Sequence, residues 1–202
     1  MIVIIDYGMG NLRSAEKAFT QAGLETIVSD NPEVLGKAQG LVIPGVGAFP
    51  DAMKNLHEKK LVEPIRRHAA AGKPLLGICL GMQVLFQQGF EGDRVEGLGL
   101  LAGDIVRIPA GVKIPHMGWN RLTMLQESPI LRGTPDGAYV YFVHSYFANN
   151  CDAADIVAVT DYGNMLPAVV QRKNVYGLQF HPEKSSDTGL NMIKNFGELS
   201  QC

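Results

Sequence analysis

The chain reads as an α/β protein with an open, mostly parallel, doubly wound sheet and an antiparallel extension, in one domain over residues 1–202. Three observations predict this. The strand-like runs of the first half are apolar throughout rather than alternating, as expected of strands covered on both faces. Helical patterns separate those runs, so consecutive strands are joined by crossovers and lie parallel. After Gly89 strand-like segments follow one another with turn signals between them, which suits antiparallel pairing.

The first strand is Ile2–Asp6, followed by a turn, Tyr7-Gly8-Met9-Gly10-Asn11, and a helix to about Ala22 that Gly23 closes. Glu25–Ser29 is the second strand. Asn31-Pro32 has the form of an N-cap with proline at the first helical position. Leu41-Val42-Ile43 is the third strand, broken by Pro44-Gly45-Val46-Gly47. One long helix is predicted from Asp51, with Ala52, Leu56, Leu61, Ile65 and Ala69 on one face and Gly72 at its end. Pro74–Cys79 is the fourth strand, and Met82–Gln88 begins another helix. Residues 89–99, rich in glycine and charge, read as a surface loop. The later strands are Gly103–Ile108, Leu122–Leu125, Tyr139–Ala148, Ile156–Thr160, Ala168–Gln171 and Gly177–Phe180. A C-terminal helix runs from about Thr188, with Leu190, Ile193, Phe196 and Ser200 near one face. There is no internal repeat, linker or low-complexity segment.

Composition excludes several classes of function. Hydrophobic residues make up 46% and charged residues 19%, which is not a disordered composition. A formal net charge of −2 gives no general attraction to nucleic acid or an anionic membrane. Met1–Ile5 is too short for a signal-peptide core, and no later run approaches the ~20 apolar residues of a spanning helix. Cys79, Cys151 and Cys202 have neither disulfide-framework nor zinc-site spacing. A reducing, cytoplasmic setting is the expectation.

In an open parallel sheet, chemistry sits at the carboxyl ends of the strands. Gly77-Ile78-Cys79-Leu80-Gly81 lies between a buried strand and a helix, and is the thiol counterpart of the Gly-x-Ser-x-Gly nucleophile elbow. A sharp turn there aims the Cys79 sulfur into a cleft at a helix N-terminus, where the dipole favours thiolate, and places the Leu80 N–H to donate to an oxyanion. A lone cysteine is more often a buried structural residue; the two flanking glycines favour the functional reading.

Gln179-Phe180-His181-Pro182-Glu183 follows the last strand. A cysteine nucleophile needs a base, and the base an orienter. In extended chain His181 and Glu183 point the same way, so the carboxylate can hold the ring. The blander reading is a surface histidine. Pro44-Gly45-Val46-Gly47-Ala48-Phe49, after the third strand, offers a second oxyanion donor through Val46 or Gly47. Gly8-Met9-Gly10-Asn11-Leu12-Arg13 is not a dinucleotide loop, because Arg13 stands where the last glycine is required. Nothing suggests a metal or a cofactor.

Together these segments resemble the class I, triad-type glutamine amidotransferases over essentially the whole chain, with Pro44–Gly47, Gly77–Gln83 and His181–Glu183 in the order and spacing of that family. The resemblance implies a flavodoxin-like fold and hydrolysis of L-glutamine through a Cys79 thioester. It also implies substrate contacts from Gln83, Gly45 and the backbone near His144, Ser145 and Tyr146. Asp6–Leu12, Pro44–Phe49, Pro115-His116-Met117-Gly118-Trp119-Asn120 and His181–Ser185 carry a narrower likeness. It is to glutaminase subunits that pass ammonia to a separate (β/α)8-barrel cyclase, which makes imidazole glycerol phosphate and AICAR in histidine biosynthesis. That likeness implies a 1:1 heterodimer with Asn11, Trp119, Tyr141 and Lys184 at the interface. It further implies an oxyanion strand turned away at rest and restored when the partner binds its nucleotide. Two alternatives stand beside it: an amidotransferase feeding another acceptor, such as the pyridoxal phosphate synthase glutaminase, and a catalytically silent α/β binding module.

Overall fold

A computed structural model describes residues 1–201; Cys202 lies outside the described residues. An eight-stranded sheet carries the architecture. Its order is β2 (Thr26–Ser29), β1 (Ile2–Ile5), β3 (Gly40–Ile43), β4 (Leu75–Ile78), β14 (Val175–Leu178), β13 (Met165–Arg172), β12 (Ile156–Asp161) and β9 (Thr123–Met124). The pairs from β2 through β14 are parallel, and those beyond are antiparallel. This is the α/β, mostly parallel sheet with an antiparallel extension that the sequence predicts.

The sheet separates two apolar layers. Val3 and Ile5 face the layer of α2 (Pro32–Lys37), α3 (Phe49–Glu58) and α4 (Val62–Ala70) through Leu35, Leu56 and Ile65. Ile2 and Ile4 face α1 (Leu12–Gln21) and α6 (Ser186–Leu199) through Phe19, Ile193 and Phe196. Burial on both faces is why β1, β3 and β4 carry no polar alternation.

Four expectations need correction. The long helix after Asp51 is two helices. Lys60 adopts φ 58°, and the N–H groups of Lys60 and Leu61 bond back to His57 and Leu56 at 2.9 Å each. That is a Schellman end with lysine in the position glycine usually takes. Pro64, which would have broken one continuous helix, falls in the first turn of α4, where its missing N–H has no cost.

The helix after Cys79 is a single turn, α5 (Leu80–Gln83), and Phe86–Gly89 is a strand, β5. The carbonyls of Val84, Leu85 and Phe86 that would continue the helix accept instead from Leu98, Leu100, Leu101 and Gly99. Residues 89–99 are not all loop, since β6 (Val95–Glu96) pairs with β5. These two strands join β7 (Leu101–Arg107) and β11 (Tyr146–Asn149) in a second, four-stranded sheet.

The predicted strand Tyr139–Ala148 is two strands in different sheets. β10 (Tyr139–His144) forms a ribbon with β8 (His116–Arg121), and the chain turns at Ser145 into β11, where the Ser145 carbonyl accepts from Ile108 N–H. That turn lies over the carboxyl ends of β3, β4 and β14.

Candidate active site

Cys79 directly follows β4 with φ 53° and ψ −110°, a left-handed backbone held by its N–H bond to the Leu178 carbonyl at 2.7 Å. Such a conformation costs about 1–3 kcal/mol and persists only where the surroundings impose it. Here they do. A Cβ on Gly81 would meet the Ile43 carbonyl oxygen at 1.7 Å, and one on Gly77 would meet that of Gly81 at 2.4 Å. The two glycines let α5 press against β3 and β4, and this turns Cys79 toward the cleft. The predicted dipole contribution is small, because a four-residue helix aligns few peptides.

His181 sits beyond the neighbouring strand β14, its N–H bonded to the Tyr141 carbonyl at 2.9 Å. Its Nδ1 lies 2.7 Å from Glu183 Oε1, with both side chains almost wholly buried. Extended geometry alone does not make this pair, since Glu183 belongs to a 3₁₀ turn, Pro182–Lys184, that curls the carboxylate back under the ring. Burial alone would lower the basicity of His181. The nearby Cys79, and the hydrogen bond and charge of Glu183, outweigh it and raise the ring well above the ordinary imidazole range. The Nε2 atom, on the cysteine side, is buried with no partner at hydrogen-bonding geometry.

Beside Cys79 lies a cavity of about 320 Å³, bounded below by Val46, Gly47, Leu80 and Gln83 and above by Val143, His144, Ser145 and Tyr146. Small-molecule sites run from roughly 300 to 1,000 Å³, so this one suits a single amino acid better than a nucleotide. Glu91 and Pro115 complete its wall. A larger groove of about 800 Å³, lined by Met124–Pro129, Leu131, Arg132 and Thr134, contains none of these groups.

The segment after β3 is anchored at one end and open at the other. Tyr7, fully buried, donates its hydroxyl to the Pro44 carbonyl at 2.6 Å, and burial and the nearby Cys79 push its ionisation far upward. Gly45 is packed under that hydroxyl and against Leu80, and does not line the cavity. Val46 is 45% exposed and Gly47 has φ 114°.

The histidines above the cavity form a neutral relay. The Tyr146 carbonyl, which can only accept, lies 2.8 Å from His144 Nδ1, so that nitrogen carries the proton. His144 Nε2 then accepts from His116 Nδ1 at 2.9 Å, and His116 Nε2 from Asn120 Nδ2 at 3.2 Å. His116 and His144 are both held down to about 4, chiefly by burial; at His144 the bond to the Tyr146 carbonyl opposes this and the neighbouring His116 and His181 add to it. Among the described residues, no group of three or more His, Cys, Asp or Glu side chains could hold a metal ion.

A family model described as glutamine amidotransferase class-I matches residues 3–198. The protein named imidazole glycerol phosphate synthase subunit HisH from Caldanaerobacter subterraneus subsp. tengcongensis is 50% identical over 202 residues, covering 100% of both chains. The protein of the same name from Desulfitobacterium hafniense is 54% identical, covering 98% of this chain and 94% of its own. The chain belongs to the class-I glutamine amidotransferases, in the HisH subunit family. Its fold is shared with a crystal structure titled glutamine amidotransferase, with a TM-score of 0.79, 22% identity and 100% of each chain covered. It is shared also with PurLQS from Thermotoga maritima, with a TM-score of 0.77, 21% identity and 96% of each chain covered.

Three of the predicted interface residues, Trp119, Tyr141 and Lys184, lie together. The β8–β10 ribbon places Trp119 opposite Tyr141, their rings edge to face at 6.0 Å, and Lys184 Nζ lies 5.8 Å from the Tyr141 centroid. Met117, Trp119 and Tyr139 are exposed by 61%, 51% and 55%. Asn11 is exposed, and its Oδ1 caps α1 by accepting from Ser14 N–H at 3.1 Å. Sequence reasoning gave no role to Tyr7, Glu91, His116 or Gln179. Tyr7, His116 and Gln179 lie inside the motifs of the predicted site, and Glu91 lies in the segment that reads as loop. No helix of the described residues is long and apolar enough to cross a membrane.

Proposed function

We propose that this chain, acting as one amidotransferase domain over residues 1–202, hydrolyses L-glutamine with Cys79, His181 and Glu183 as its catalytic triad. The observation that carries the reading is the buried His181–Glu183 pair, 2.7 Å apart, at the end of the strand beside the strained Cys79 turn. Cys79 thiolate attacks the carboxamide carbon, and the carbonyl oxygen takes up the negative charge. The Leu80 N–H and an N–H of the Val46–Gly47 segment face that charge; each such donor is worth ~10²–10³ in rate. Protonated His181 gives its proton to the amide nitrogen and the C–N bond breaks, releasing ammonia and leaving a thioester. His181 then takes a proton from water, whose oxygen attacks the thioester; thiolate leaves, and glutamate is the second product. Glu183 holds the ring and balances its charge. The α-ammonium of glutamine is met by Gln83 and the Glu91 carboxylate, and its carboxylate by the turn His144–Tyr146. No cofactor or metal takes part.

The ammonia goes to a separate chain in the cytoplasm, a (β/α)8-barrel cyclase bound 1:1. The exposed aromatic ribbon supports this, because Met117, Trp119 and Tyr139 form an apolar face beside Lys184. The oxyanion segment supplies a switch. Tyr7 fixes the Pro44 carbonyl, whereas the peptides flanking Val46 end at Gly47, where a turn of one peptide has low steric cost. Partner and nucleotide favour the donating arrangement by binding it more tightly.

The test uses the complex with the cyclase. Cys79→Ala abolishes synthesis from glutamine and leaves synthesis from an added ammonium salt intact. Loss of both, or retention of both, overturns the reading.

A further inference from the structure

One fully buried polar side chain between the nucleophile and the substrate cavity has no role in the steps above. Gln179, just past β14, is 0% exposed. Its Oε1 accepts from Gln83 Nε2 at 3.1 Å, and its Nε2 faces Cys79 Sγ at 3.9 Å.

This orientation is dictated from outside the pair. Gln83 Nε2 also lies 2.9 Å from the Tyr146 carbonyl. A backbone carbonyl only accepts, so Gln83 must turn its nitrogen there. The same nitrogen faces Gln179, which must therefore present oxygen, leaving its NH₂ toward the sulfur. Gln83 thus donates both to the Tyr146 carbonyl and to Gln179, and Gln179 donates to the nucleophile. It also leaves Gln83 Oε1, an acceptor with no protein partner among the described residues, for the substrate ammonium.

We infer that Gln179 is a positioning residue for the glutaminase reaction, donating an N–H to the Cys79 thiolate and fixing the Gln83 amide so that Gln83 presents oxygen to the substrate. The inference rests on the proposed function of this cavity. A nearly buried anion is stabilised by a donor, because a hydrogen bond to the charged form favours that form. The Val143 carbonyl, 3.8 Å from the sulfur, can only accept a hydrogen bond from the thiol, and the other groups near the sulfur each have another task. His181, backed by Glu183, must exchange its proton during the reaction. The Tyr7 hydroxyl is donated to Pro44, and His144, across the cleft on β10, is neutral and committed to Tyr146. An amide adds no charge and competes for no proton. Its N–H serves twice, when the thiolate attacks and when it leaves from the thioester.

The experiment measures the rate of iodoacetamide alkylation of Cys79 against pH on the full chain, read by mass spectrometry of the peptide that holds it. Gln179→Glu removes the N–H and adds negative charge, so the midpoint of the profile moves upward by about one pH unit or more. Gln179→Met removes only the donor and moves it upward by less. In the complex with the cyclase, both variants lower kcat for glutamate release about tenfold and raise KM for glutamine through Gln83. A Gln179→Met profile that superimposes on the unsubstituted one overturns the inference. Absence of glutamate release by the unsubstituted complex would instead remove the functional reading, and the alkylation midpoint would still test the contact. If neither variant folds, the Gln179 side-chain NH₂ resonances of the unsubstituted, ¹⁵N-labelled chain are followed as Cys79 ionises. Movement with that ionisation supports the contact, and invariance refutes it.

Discussion

Glu183→Gln isolates charge from shape in the proposed triad. Glutamine has the same reach, so its Oε1 can still accept from His181 Nδ1, now 2.7 Å from the carboxylate. The hydrogen bond survives and the charge does not. Two unit charges ~4 Å apart in partly screened protein attract by about 4 kcal/mol, whereas a neutral hydrogen bond retains about 1 kcal/mol net. The expected rise in barrier is therefore about 3 kcal/mol, or roughly 10²-fold in kcat. A second route makes the loss larger. Glu183 Oε2 is buried without a hydrogen-bond partner, so an NH₂ at that position has no acceptor to hold it there. The amide can turn over and present NH₂ to Nδ1, which selects the wrong tautomer of His181. The assay is glutamate release by the complex at saturating glutamine, with thermal denaturation to show that the fold is kept. His181→Ala, which removes the acid and base altogether, falls further. Unchanged turnover in Glu183→Gln beside an inactive His181→Ala would refute the reasoning and leave a Cys79–His181 dyad.

Three more outcomes are expected. Gly81→Ala puts a methyl group 1.7 Å from the Ile43 carbonyl, so β3 and α5 must part; urea denaturation should show a loss of about 1–3 kcal/mol, with a larger loss in turnover. Gly47→Pro cannot keep φ 114° and should reduce activation of glutamate release by partner and nucleotide, while Cys79 stays reactive to small alkylating agents. His116 and His144, held near 4 in the native protein, refuse protons that the unfolded chain takes up below about 6.5. Their contribution is whole above that value and is lost as pH falls toward 4, by about 2 kcal/mol for each between pH 7 and 5. His181 is raised instead, so its contribution is present below about 6.5 and fades as pH rises through the raised value. Between pH 6.5 and 5 it is constant, and urea midpoints there should fall more steeply in the unsubstituted chain than in His116→Asn.

The parts of the fold legible in the sequence are those set by local pattern. Apolar runs marked β1, β3 and β4, Asn31-Pro32 opened α2, and Gly23 closed α1. What escaped notice was decided by distant chain. Lys60 ends α3 in a conformation its residue type does not advertise, although Pro64 carried a hint. The stretch from Val84 to Gly89 leaves the helix because carbonyls there are claimed by residues 97–101. Ser145 divides β10 from β11 because Ile108 pairs with it.

The candidate site followed the same division. Cys79, His181 and Glu183 were readable because glycines at 77 and 81 and the proline at 182 set local geometry next to chemically capable side chains. Gln179 and His116 were not, because an amide or imidazole acquires its role from what it faces: Gln83 and the sulfur for one, His144 and Asn120 for the other.

The central claim is that glutamine is opened through a covalent bond to Cys79. Acid quenching of the complex during steady-state turnover, followed by mass spectrometry of its peptides, tests it directly. The account predicts a mass increase of one γ-glutamyl group on the peptide holding Cys79, absent from Cys79→Ala. It predicts none on Cys151, whose thiol is pushed up to about 11, chiefly by burial. Glutamate release with no such adduct on Cys79, or with the adduct on Cys151, would contradict it.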